Sequence, residues 1–184
     1  MENKVTYGKP KKGGAISIAP LGTALPTDAT SPLDPAFKSL GYCSDDGLGH
    51  DPKTESKDVK AWGGDTVMAI QTSKDDTFKF TLLEALNVEV LKLFYGPKNV
   101  TGDLDTGITI KSNSDPQRPY SLVIDTILIG GILKRIVIPN GLVKETGGIQ
   151  YKDDDAISYE TTMAALPDKE ENTHYEYIIK PKEA

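Results

Sequence analysis

Between residues 76 and 97 the spacing of apolar residues changes period, and this change limits the fold more than any other feature of the chain. Phe78, Phe80 and Leu82 alternate with Thr77, Lys79 and Thr81, the pattern of a strand with one buried face. Leu86, Val90, Leu93 and Phe94 then recur at i, i+4, i+7 and i+8, and Gly96-Pro97 supplies a stop. The spacing predicts one helix of about three turns. The remaining patterned segments, 15–20, 40–43, 107–111, 120–129, 132–138, 142–151, 156–165 and 175–179, are strand-like and separated by turns such as Gly130-Gly131. Strands in this number around one helix predict a mainly β fold, an antiparallel sandwich or barrel flanked by an α-helix.

Three stretches resist this alternation. Pro26, Pro32 and Pro35 fall too close together for any regular element, which makes 21–39 a long connection. Residues 44–64 are polar and turn-rich, with an extended piece near 57–62, and are expected to form a long loop. Residues 1–14 carry Lys4, Lys9, Lys11 and Lys12 among Pro10, Gly13 and Gly14, the composition of a flexible basic arm. The expected organisation is an arm over 1–14, a single domain over 15–180 and a short tail over 181–184. Segment 120–129 is apolar on both faces, so it is either a central strand covered on both sides or a strand whose second face meets another subunit.

Charge and cysteine content exclude several classes. The chain of 184 residues has 21 basic and 27 acidic residues, a net charge of −6, which argues against gripping nucleic acid through its phosphates. Cys43 is the one cysteine, so a disulfide scaffold and cysteine-rich zinc sites are excluded. No apolar run is long enough to span a membrane as a helix.

Catalytic and metal motifs come close but fail on context. Asp105-Thr106-Gly107 matches the aspartic-protease tripeptide, yet its lead-in 99–103 is a turn and not the apolar strand that would bury a carboxylate pair. Asp103 and Asp105 begin a calcium-loop pattern that breaks at Gly107 and Ser114. Asp45, Asp46, His50 and Asp51 lie in one loop with nothing to aim them at an ion, and Asp153, Asp154 and Asp155 read as a solvated turn. His174 has no neighbour in sequence with which to form a catalytic group. No enzymatic activity, cofactor or metal is expected.

The runs APLGTALPTDATSPLDPAFKSLGYCSDDGL, KAWGGD and FKFTLLEALNVEVLKLFYGPKNV, followed by IPNGLVKETGGIQYKDDDAISYETTMAALPD, resemble the major tail tube protein of long, non-contractile-tailed bacteriophages (siphophages). The resemblance covers about residues 13–168. It implies a structural virion protein, assembled in the host bacterial cytoplasm, whose hexameric rings stack into the tube that conducts DNA from capsid to host at genome ejection. It also implies tape-measure, distal tail and terminator proteins as partners, with DNA passing through the lumen unbound. An added immunoglobulin-like domain, carried by many relatives, is not expected. In such families a long loop and the N-terminal arm reach the adjoining ring, which makes Asp45, Asp46, Gly47, Lys57, Trp62, Gly63 and Gly64 the candidate stacking residues and Lys9, Lys11 and Lys12 the candidate arm contacts.

Trp62, the lone tryptophan, suits an interface anchor or, equally, a cap on the core. Asp125 and Glu160, each inside a predicted strand, are the candidate acidic residues of a lumen that repels phosphate. The alternatives are another ring protein of the tail, distal or terminator, or a β-sandwich module that binds carbohydrate or a receptor.

Overall fold

Strand β5 and helix α1 form where the period changes, and the rest of the sheet is built around them. The computed structural model describes residues 4–181, so 1–3 of the arm and 182–184 of the tail lie outside the described residues. In chain order the elements are β1 (Lys9–Pro10), β2 (Ile16–Pro20), β3 (Lys38–Ser39), β4 (Cys43–Lys60), β5 (Thr66–Leu82), α1 (Val88–Tyr95), β6 (Val100–Thr101), β7 (Thr109–Ile110), β8 (Tyr120–Ile127), β9 (Leu133–Thr146), β10 (Tyr159–Ala165) and β11 (Tyr175–Ile179). The fold is mainly β and antiparallel, as expected. Among the described residues, nine strands make one sheet in the order β3-β2-β8-β9-β10-β5-β4, with β1 added to β8 and β11 to β9, while β6 and β7 form a separate ribbon.

Ile16 and Ile18 of β2 share one buried cluster with Phe78, Phe80 and Leu82 of β5, although three strands separate β2 from β5 in the sheet. The sheet must therefore curl, and α1 fills its concave side with Val90, Leu91 and Leu93. Long β9 makes the curl possible. Its N-terminal part pairs with β8 and its C-terminal part with β10, and the register slips at Pro139-Asn140-Gly141, where a proline is tolerated because the ladder is already interrupted. A Cβ on Gly141 would stand 2.7 Å from Leu122 Cδ1 and 3.1 Å from Met163 Cε, so the bend admits only glycine without repacking.

Helix α1 has two turns where about three were expected. Asn87 stops it from starting earlier: its side chain accepts the Glu89 N–H at 3.0 Å, which leaves Leu86 outside the helix and exposed. The stop is where glycine and proline put it, with the Gly96 N–H bonded to the Lys92 carbonyl at 2.9 Å.

The second face of β8 is covered within the chain. Val123 packs with Ala19, Phe37 and Val137, and with the half-buried Leu25, Leu33, Tyr175 and Tyr177, so the proline-rich segment 21–37 is the lid over that face. Arg135 holds this lid. Its side chain is 3% exposed; Nε and Nη2 donate to Asp125 across the β8–β9 pair at 2.7 and 3.1 Å, and Nη1 donates to the carbonyls of Asp28 and Ser31 at 3.0 and 2.8 Å.

Asp28 shapes the lid where Arg135 grips it. Its Oδ1 accepts the backbone N–H groups of Ser31 and Thr30, both at 2.6 Å, and these bonds, Ser31's first, hold its pKa down at about 2 from an ordinary 3.8. A carboxyl with a depressed folded-state pKa contributes stability above its unfolded value and loses it as pH falls through the folded one. Urea denaturation is thus expected to show stability declining from about pH 3.8 towards about pH 2, and Asp28→Asn is expected to remove part of that decline.

Candidate assembly surface

The expected loop at 44–64 is instead a strand. β4 runs from Cys43 to Lys60 and pairs with β5 along its length, from Cys43↔Leu82 to Lys60↔Thr66. Beyond Asp76 this two-stranded ribbon leaves the body: every residue from 52 to 75 except Ser73 is exposed. At about 3.4 Å per residue it projects roughly 30 Å. With solvent on both faces it needs no alternation of apolar and polar residues, which is why its sequence reads as a loop.

The candidate stacking residues separate into two groups. Asp45, Asp46 and Gly47 bulge from the root of the ribbon, where β4 slips register between Cys43 and Leu48. Lys57, Trp62, Gly63 and Gly64 lie at its far end. Gly63 and Gly64 adopt φ of 108° and 100°, values an L side chain resists, and they close the turn from Ala61 to Asp65. Trp62, at 106% exposure, touches no core, so the capping alternative is overturned. Val59 lies opposite Met68 and Lys57 opposite Ile70, which gathers Val59, Met68 and Ile70 on one exposed face just below the tip.

The arm is held rather than free over residues 9–11. Lys9 and Pro10 pair with Ile127 and Thr126, the Lys11 N–H donates to the Asp125 carbonyl at 3.2 Å, and Lys11 Nζ stands 3.6 Å from the Asp125 carboxylate. Lys12 follows in an exposed turn. Neither acidic candidate is unpaired. Asp125 is engaged by Arg135 and Lys11; Glu160, on the solvent side of β10, is paired with Lys79. That bond raises the Lys79 pKa.

The near-miss motifs resolve as turns. Asp103 Oδ1 accepts the N–H groups of Asp105 and Thr106 at 3.1 and 2.8 Å, so Asp105-Thr106-Gly107 is the exposed connection between β6 and β7. A Cβ on Gly102 would stand 2.0 Å from the Gly107 carbonyl oxygen, a close approach that packs the loop on itself. Cys43 is half-buried, and burial followed by the Glu84 charge pushes its thiol pKa up, away from nucleophilic use.

Sequence reasoning missed one grouping. Asp76, 3% exposed at the base of the ribbon, takes His50 Nε2 at 2.6 Å and His174 Nδ1 at 2.7 Å and accepts the Thr173 hydroxyl. Burial pushes its pKa up, but the bonds from Thr173, His50 and His174 outweigh burial and hold it below the usual carboxylate range. The cluster ties the start of β11 to the ribbon's root.

No curated protein matches the chain. A family described as phage tail tube protein matches residues 12–184, nearly the whole sequence, in keeping with the mainly β fold. The chain belongs to the phage tail tube protein family, structural and non-enzymatic components of the virion tail.

Proposed function

We propose that the chain is the major tube subunit of a siphophage tail, forming hexameric rings that stack around a bore through which DNA leaves the capsid. The observation that carries this reading is the ribbon over 52–75, which buries nothing in its own chain and yet presents Val59, Met68, Ile70 and Trp62. A monomer gains nothing from such an extension. In a stacked ring the ribbon is long enough to cross onto a neighbouring subunit, with Trp62 as anchor and Lys57 beside the apolar face. Lys9, Lys11 and Lys12, displayed along the β8 edge, supply a second contact.

The bore repels DNA weakly. A net charge of −6 per chain gives phosphate nothing to adhere to, and the effect is screened beyond about 8 Å. In this reading Glu160, half-exposed on the outer side of β10 and paired there with Lys79, is the acidic residue assigned to the bore, while Asp125 serves Arg135. Assembly in the host cytoplasm on a distal tail complex, around a tape-measure protein and closed by a terminator, completes the role.

Electron microscopy of the purified protein over a concentration series, with light scattering to count subunits, tests the reading. Stacked rings or tubes of uniform bore are expected. Single rings that never stack would favour a terminator, and monomers that persist with an initiating tail complex present would overturn the assignment.

A further inference from the structure

His50 and His174 are the two histidines of the chain, and the fold brings them together from β4 and from the residue before β11. His50 lies flat on Phe78, with ring centroids 4.3 Å apart at 4°, and His174 meets His50 edge-on at 4.9 Å. Glu176 stands beside them, so that one ligand atom from each of His50, His174 and Glu176 lies within 4.8 Å of the other two. Glu176 Oε2 is 2.9 Å from Lys134 Nζ, while its Oε1 carries no hydrogen bond among the described residues.

The protons follow from Asp76. An ionised carboxylate only accepts, so His50 Nε2 and His174 Nδ1 must both be donors, and in neutral rings the lone pairs fall on His50 Nδ1 and His174 Nε2. This is the arrangement by which an outer carboxylate fixes the tautomer and orientation of metal-binding imidazoles, and one buried Asp76 does so for two rings. Two imidazoles and a carboxylate suit zinc and its neighbours; calcium and magnesium prefer all-oxygen sites.

We propose that His50, His174 and Glu176 bind one zinc-class divalent ion at the root of the ribbon, with Asp76 as the positioning residue. Donors around a tetrahedral ion with bonds of about 2.1 Å stand about 3.4 Å apart, against up to 4.8 Å among these side chains, so the three groups close by up to about 1.4 Å as His50 Nδ1 and His174 Nε2 are brought to the ion. Side-chain exposures of 27% for His50 and 20% for His174 leave both rings room to do this. Water fills the fourth position. The ion would bridge β4 to β11, and the proposal stands independently of ring assembly.

The test uses full-length protein stripped with a chelator, titrated with zinc against a chromophoric competitor and with cobalt followed by visible absorption. One ion per chain with a tetrahedral cobalt spectrum is expected. His50→Gln and His174→Gln are each expected to weaken binding at least 100-fold, and Asp76→Asn 10- to 100-fold. Glu176→Gln, which gives up only a half-exposed ion pair with Lys134, is expected to move the metal-free unfolding midpoint little and to weaken binding about tenfold. Absence of binding, or binding unchanged in Glu176→Gln and in whichever histidine variants fold, would overturn the proposal and leave the cluster a hydrogen-bonded strut.

Discussion

Arg135→Ala is expected to lower stability by about 3–5 kcal/mol, a large share of the 5–15 kcal/mol typical of a folded domain. The size follows from what the substitution strands. Asp125, with its side chain 14% exposed, loses its bidentate partner, and the carbonyls of Asp28 and Ser31 lose their donor. The lid over 21–37 then keeps its apolar packing beside Ala19, Val123, Val137, Tyr175 and Tyr177 but loses its charged staple. Replacing both charges by apolar residues, as Arg135→Met with Asp125→Leu, is expected to recover part of the loss by removing the stranded carboxylate. Recovery stays incomplete because the two carbonyls remain unmet. Urea denaturation checks the magnitude, and hydrogen exchange is expected to show the deficit concentrated in 21–37. An Arg135→Ala protein as stable as the parent would show that the lid needs no staple.

The second large effect concerns assembly. Thr54 and Lys74 are paired in the ribbon, so 55–73 can be replaced by Asn-Gly, which closes a two-residue hairpin between them. The body is expected to fold unchanged, since none of the deleted residues belongs to either core cluster. Ring and tube formation is expected to be lost. Trp62→Ala is the smaller version of the same experiment. Its effect on monomer stability is expected to stay within about 0.5 kcal/mol, because the side chain is fully exposed. The concentration needed for assembly is expected to rise at least tenfold, the consequence of losing a buried aromatic anchor worth about 2 kcal/mol. Light scattering on both variants beside the parent reads the two effects separately.

Elements that bury one face were legible in the sequence. The alternation of Phe78, Phe80 and Leu82 gave the inner half of β5, and Gly96 marked the end of α1. The ribbon was illegible because burial writes the alternation, and neither of its faces is buried in this chain. The Asp125–Arg135 pair was readable in principle. The two residues lie equally far from Gly130 in a hairpin of apolar strands, a register that sets them opposite each other, whereas the strand of Asp125 considered alone points only to an unpaired carboxylate. The cluster on Asp76 left no such trace. Its members come from β4, β5 and the approach to β11, and only the long-range pairing of the sheet brings them together.

The central claim is that the ribbon over 52–75 is an intersubunit element. Cryo-electron microscopy of the assembled tube at side-chain resolution tests it most directly. The account predicts Trp62 enclosed by a neighbouring subunit, with Val59, Met68 and Ile70 facing that neighbour. A tube in which the ribbon points outward into solvent and touches no other chain would contradict it.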